Sequence, residues 1–94
     1  MNLSIVIVSY KSLTNLENCL KHLGNKREIL IVENSNSHSL KQTIENNYKN
    51  CKVILNKENF GFGKASNIGI EKVNSKYVLL LSTDIVIEES QITL

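Results

Sequence analysis

Proline is absent from the 94 residues of the chain, and glycine occurs only four times. With 41% hydrophobic and 21% charged residues, that composition excludes a collagen-like, low-complexity or disordered chain. A globule of one small domain remains, since domains mostly run from ~50 to 250 residues. The amino terminus, Met1-Asn2-Leu3-Ser4-Ile5-Val6-Ile7-Val8, has no basic lead-in, and its apolar run is too short for a signal peptide. The other apolar run, Tyr77 to Leu81, falls far below the ~18 to 20 residues that cross a bilayer. A chain without a transmembrane segment, placed in the cytoplasm, is therefore expected. Cysteine is sparse too: Cys19 and Cys51 stand 32 positions apart, outside any Cys-x-x-Cys pattern, which leaves a disulfide framework or zinc knuckle without support. Two buried, reduced thiols are the expectation. His22 and His38 have no companion at metal-ligand spacing and read as solvated surface residues. The 11 basic residues against 9 acidic ones include ten lysines scattered along the whole chain. No basic stripe forms, which argues against a dedicated nucleic-acid binder. The scarcest acid is aspartate: eight of the nine acidic residues are Glu, and Asp84 is the only Asp.

What is present is a regular alternation. Leu3 to Ser9 is a nearly continuous β-branched run, the pattern of a strand buried on both faces of a parallel sheet. Leu13, Leu16, Leu20 and Leu23 fall at helical spacing, and Gly24-Asn25 supplies a stop. Glu28 to Glu33 repeats the strand pattern and runs into the turn formers Asn34-Ser35-Asn36-Ser37, which are also candidate N-caps. Leu40 to Tyr48 reads as a polar helix docking Leu40, Ile44 and Tyr48. Lys52 to Asn56 is a shorter third strand, followed by a loop over Lys57 to Gly63. Lys64 to Val73 then reads as a helix that buries Ala65, Ile68 and Val73, with Gly69 allowing close approach to the sheet. Tyr77 to Leu81 is the fourth strand, Ser82-Thr83-Asp84 leads into Ile85-Val86-Ile87, and the last residues show no further clear element.

This order implies an α/β fold: a mostly parallel four-stranded sheet, right-handed crossovers, and helices on both faces. Such a small sheet has exposed edges, so an oligomer that covers them is a further expectation. Ligands of open α/β sheets bind beyond the carboxyl ends of the strands. Polar residues gather there: Ser9-Tyr10-Lys11, Glu33-Asn34-Ser35 and Ser82-Thr83-Asp84. That rim suits a nucleotide better than an apolar ligand. Gly61-Phe62-Gly63-Lys64-Ala65-Ser66 is neither a dinucleotide fingerprint, lacking the third glycine, nor a P-loop, having Glu58 and Ala65 at two defining positions. It is equally readable as an anion-holding loop at a helix N-terminus, with Lys64 and Asn67 on the first turn, or as a loop that simply turns tightly. Asp84 is the best candidate ligand for a hard cation, Mg²⁺ or Mn²⁺.

Taken together, Ser4 to Tyr10, Ile29 to Ser35, the Asn56-x-x-Asn59-Phe60-Gly61-Phe62-Gly63-x-Ala65-Ser66-Asn67-x-Gly69-Ile70 stretch and Tyr77 to Asp84 resemble the nucleotide-sugar-binding half of the family-two inverting glycosyltransferases, with the GT-A fold. The likeness covers nearly the whole chain and is nearest to the rhamnosyltransferase-like branch. The resemblance implies a Rossmann-like GT-A half in residues 1–94, with the acceptor half, and the catalytic base within it, absent. It implies that Ser9 and Tyr10 border the base and ribose, that Glu33, in place of the family's usual Asp, hydrogen-bonds the nucleobase or ribose, that Asn34 belongs to the nucleotide-sugar site, and that Asn59, Gly61, Lys64 and Asn67 line the nucleotide and diphosphate side. The Ser82 hydroxyl then reaches the ribose, Thr83 joins the nucleotide-sugar site, and Asp84 binds a divalent metal bridging the diphosphate. Glu88 and Glu89 come too soon in the chain to supply the base.

The implied activity is transfer of a sugar from a nucleoside-diphosphate sugar to an acceptor hydroxyl, glycan or lipid-linked, in cell-surface polysaccharide synthesis at the inner membrane surface. The alternative is a non-catalytic nucleotide-binding module. A receiver-like signalling domain is set aside, because Ser9-Tyr10 and Asn56 stand where its acidic pocket and phosphorylated Asp belong.

Overall fold

A computed structural model of the protein describes residues 3–92. Met1, Asn2, Thr93 and Leu94 lie outside the described residues, and with them the first two positions of the signal-peptide reading. The strands β1 (Leu3–Ser9), β2 (Ile29–Glu33), β3 (Cys51–Leu55) and β4 (Tyr77–Ser82) alternate with the helices α1 (Leu13–Leu23), α2 (His38–Asn47) and α3 (Gly61–Lys72). The sheet order is β3-β2-β1-β4, and every pairing is parallel. Each strand after β1 thus follows a helical crossover, as expected from the sequence.

Period-two alternation sorts the strand residues between two cores. Ile5, Ile7, Ile29, Ile31 and Val53 face Leu16, Leu20 and Leu23 of α1 and Leu40 and Ile44 of α2. Val6, Val8, Leu30 and Val32 face Ala65 of α3, with Ile68 and Val73 packed beside them. Each Val, Leu or Ile side chain fully buried there contributes roughly 1.5 to 3 kcal/mol. The direction of the chain explains why the helices divide two and one. β2 and β3 are added successively on one side of β1, whereas β4 returns to its other side, so a right-handed crossover places α3 on the opposite face. That reversal puts a switch point between β1 and β4 at their carboxyl ends. α3 lies very close to the sheet at Gly69, where a Cβ would meet Val6 Cγ1 at 2.6 Å and Val32 Cγ2 at 3.0 Å.

Beyond shifts of one residue at other element ends, two helix starts and the tail differ from the expected reading for identifiable reasons. α2 begins at His38 because the Ser37 hydroxyl caps it, accepting from the Leu40 N–H at 3.3 Å. α3 begins at Gly61, so Gly61, Phe62 and Gly63 belong to its first turn and not to a loop. There Asn59 Oδ1 accepts from the Gly61 N–H at 2.9 Å and Asn34 Oδ1 from the Phe60 N–H at 3.4 Å, which satisfies donors that would otherwise discourage an early start. Gly61 has φ +82°, a conformation that favours glycine. Finally, Glu89–Gln91 forms a 3-10 turn capped reciprocally by Glu88 and Gln91. Ile87 and Ile92 pack on the α1 side of the core, while Glu89 lies 3.4 Å from Arg27 and 3.8 Å from Lys26. His22 is half-buried, not simply solvated: its Nδ1 lies 2.8 Å from the Asn18 carbonyl and its Nε2 3.5 Å from Glu88.

The two sheet edges are treated differently. Along β3, the outward N–H of Val53 donates to Glu45 Oε2 at 2.8 Å, and its carbonyl accepts from Lys41 Nζ at 2.5 Å. Two side chains of α2 thereby occupy the positions another strand would take. Along β4, Tyr77 is exposed, and an apolar groove of about 350 Å³ runs past Leu3, Tyr77, Leu79, Ile87 and Ile92. Among the described residues, no helix is long and apolar enough to cross a membrane.

Candidate functional site

Register brings the strand ends to one rim. Ser9 lies beside Glu33, and Glu33 beside Leu55, in one row across β1, β2 and β3. Glu33 is fully buried, and a buried carboxylate is tolerated only when hydrogen-bond donors replace its lost hydration. Three do so here: the Ser9 hydroxyl at 2.5 Å, the Ser35 hydroxyl at 2.5 Å and the Lys11 backbone N–H at 2.9 Å. The last of these shapes the chain leaving β1. Lys11 has φ +48°, which is uncommon for a residue with a side chain, and Glu33 holds that bend in place. The bend leaves Tyr10 49% exposed at the mouth of the rim, with Lys11 Nζ 5.4 Å from the centre of its ring.

A second buried knot seats α3. Asn34 Oδ1 accepts from Asn56 Nδ2 at 2.8 Å, and Asn34 Nδ2 donates to the Gly61 carbonyl at 3.2 Å. One amide therefore joins the ends of β2 and β3 to the first turn of α3. Lys64, on that turn, lies with Nζ 4.2 Å from the centre of the Phe60 ring, a cation–π distance. Phe62, Gly63 and Asn67 are exposed alongside it.

The third station is the turn after β4. The Ile85 N–H donates to the Ser82 carbonyl at 3.2 Å, closing Ser82-Thr83-Asp84-Ile85, and the Ser82 hydroxyl donates to Asp84 Oδ1. Asp84 is exposed, while Ser82 and Thr83 are half-buried. Cys19 of α1 reaches the turn from below, with Sγ 3.3 Å from the Thr83 carbonyl and 3.2 Å from the Ile85 carbonyl. Burial, and then the Asp84 charge, push this thiol above its ordinary pKa. Cys51 is pushed up to about 12 by burial. Both cysteines are free and buried, in keeping with the expectation.

The residues expected at the rim thus divide by exposure. Ser9, Glu33 and Asn34 are interior and bonded to one another's surroundings, whereas Tyr10, Asn59, Gly61, Lys64, Asn67 and Asp84 open to solvent. Sequence reasoning assigned no site role to Asn56, Ser35 or Cys19. For Asn56 a signal existed, a polar residue closing the third strand, but for Cys19 nothing in its neighbourhood distinguishes it from a core thiol. Among the described residues, no group of three His, Cys, Asp or Glu side chains gathers to hold a metal. The donor set fits a cation carried by one carboxylate and completed by phosphate oxygens and water, and does not fit an all-protein cage. A larger cleft, about 680 Å³, lies between Gly24-Asn25 and Asn47 to Asn50, at the amino ends of β2 and β3 and away from the rim. Its position opposite the strand ends argues against it as the site of chemistry, whatever its volume.

An all-parallel sheet with this switch point and this polar rim defines a Rossmann-like α/β domain, of the class that takes ligands beyond its strand ends. The chain belongs to glycosyl transferase family 2, whose family model matches residues 4–94. It is 30% identical over 95 residues to Agl10 of Haloferax volcanii, a low-salt glycan biosynthesis hexosyltransferase, covering 97% of this chain and 30% of Agl10. A crystal structure of S. aureus TarS 1–349 superposes with a TM-score of 0.77 at 21% identity, covering 96% of this chain and 29% of that one. The same TarS segment in complex with UDP gives a TM-score of 0.76 at 21% identity over 95% and 29% of the two chains. At that identity the TarS structures speak for the fold. The chain spans about 30% of the length of the curated relative it matches.

Proposed function

We propose that these residues form the nucleotide-sugar-binding part of an inverting glycosyltransferase of glycan synthesis, with UDP the first nucleotide to test and a hexose the first sugar. The observation that carries the reading is the rim itself: one buried carboxylate, Glu33, holds the bend that exposes Tyr10, while a second, Asp84, stays open to solvent across the β1–β4 switch point. Family membership and the UDP bound to TarS support the same ligand class. In this reading Tyr10 offers a face for the nucleobase, and the open first turn of α3 directs backbone N–H groups and Lys64 toward the diphosphate. Asp84 would hold a divalent cation, Mg²⁺ or Mn²⁺, which when bound offsets the charge that develops on the leaving diphosphate. Glu33 acts by positioning, since Ser9, Lys11 and Ser35 already occupy its oxygens.

The acceptor and the base that deprotonates it belong elsewhere in this scheme. Glu88 and Glu89 are turned toward His22 and toward Lys26 and Arg27, which precede β2 at the opposite end of the sheet. Calorimetric titration with UDP, dTDP and GDP, with and without Mn²⁺, tests the reading. Metal-enhanced binding of one diphosphate, with the enhancement lost in Asp84→Ala, is expected. Absence of binding by all three at millimolar concentration would sink it.

A further inference from the structure

We propose that Cys19 is a positioning residue for the Asp84 turn and, through it, for the cation that Asp84 would hold, an inference that rests on the reading of Asp84 given above. The carbonyls of Thr83 and Ile85, at 3.3 and 3.2 Å from Cys19 Sγ, belong to the residues immediately before and after Asp84. One S–H proton is therefore shared by a fork that brackets the carboxylate's own residue. A thiol is a weak donor, but Cys19 is only 2% exposed, so water competes little for the contact. The residue at the N-cap of the same helix meets the turn at a second point, where the Ser12 and Thr83 hydroxyls lie 3.4 Å apart. The backbone of the turn is tied from beneath while the Asp84 side chain remains exposed above.

The arrangement matters because a single carboxylate must meet a cation whose other ligands are phosphate and water. Mg²⁺ in particular tolerates little deviation from octahedral geometry, and groups that orient a ligand count nearly as much as the ligand itself. A cysteine serving only to fill the core would have no reason to direct its sulfur at two oxygens of one turn. Neither contact is needed by the sheet, since β4 is already paired along its length with β1.

UDP titrations with and without Mn²⁺, together with thermal melts, on the whole chain and three variants test the proposal. Cys19→Val fills the space without a donor, and Cys19→Ser keeps a donor. The valine variant is expected to melt close to the unaltered protein and to bind UDP equally well without metal, while its Mn²⁺-dependent gain in affinity falls about fivefold, the scale of one lost hydrogen bond. The serine variant is expected to keep that gain to within about twofold. Where valine does not fold, Cys19→Ala removes the donor without added volume, and the same loss of gain is expected. A valine or alanine variant with the full gain overturns the proposal, as does a loss that tracks melting temperature equally in all three. If the unaltered protein shows no metal-dependent UDP binding, the Asp84 reading fails and this inference with it; if it does and the variants match it, only the role of Cys19 fails.

Discussion

Two carboxylates of the same rim, Glu33 closing β2 and Asp84 following β4 on the other side of β1, have opposite surroundings. Glu33 is fully buried and receives three hydrogen bonds, two from hydroxyls and one from the backbone. Asp84 is exposed and receives one from the Ser82 hydroxyl beside it. A carboxylate whose oxygens are already occupied acts on shape, here the Lys11 bend and the display of Tyr10. One whose oxygens face water retains capacity for a cation. Glu45 stands between them: its side chain is 33% exposed, it pairs with Lys41, and it accepts the Val53 N–H at the β3 edge.

The largest expected effect follows from breaking the buried member. Glu33→Ala leaves three donors unpaired and opens a cavity, and a loss of about 3 to 5 kcal/mol is expected in urea unfolding. A loss below about 1 kcal/mol would mean that Glu33 is not the node described. Gly69→Ala comes next, because the new methyl meets Val6 and Val32; lifting α3 is expected to cost about 1 to 3 kcal/mol by the same measurement. If the rim depends on how α3 is seated, UDP affinity should weaken with it.

Smaller still is the contribution of Glu45, where Glu45→Gln is expected to cost about 1 kcal/mol after allowance for solvent screening. The Val53 N–H, first among several causes, holds the Glu45 carboxyl below the ordinary glutamate range. Because the folded-state value is the lower one, this stabilisation is complete above the unfolded value of ~4.3 and is lost as pH falls through the folded value. Unfolding followed between neutral pH and pH ~3 should show that acid loss reduced in the Gln variant. The smallest stability effect is expected from Asp84→Asn, within about 0.5 kcal/mol, although the metal-dependent part of UDP binding should disappear. A large stability loss at Asp84 would erase the contrast with Glu33.

Much of this architecture was legible along the chain. The β-branched runs of β1 and β2, the leucine spacing of α1 and the Gly69 approach follow from local periodicity and side-chain size, and the structure agrees with each. The start of α3 was not legible, because glycines at Gly61 and Gly63 read as loop until Asn34, 27 residues upstream of Gly61, is seen binding that turn. Nor was the bracket from Cys19, whose partners lie 64 and 66 positions away. The Lys41 and Glu45 pair reads as ordinary helix-surface charge, and only the docking of α2 beside β3 turns it into a cover for the sheet edge.

The sequence by itself determined the α/β class, the order of the elements, the family and the collection of polar residues at the strand ends, because these depend on short-range patterns and on motif order. Tertiary structure alone decided which of those polar residues are interior ties and which remain open for a ligand. That division depends on register: Ser9 meets Glu33 only when β1 and β2 pair in one alignment, and a shift of β2 by one residue would turn Glu33 to the face opposite Ser9. The single aspartate was conspicuous in the composition; its exposure, and the thiol beneath it, arise from packing between α1 and the end of β4.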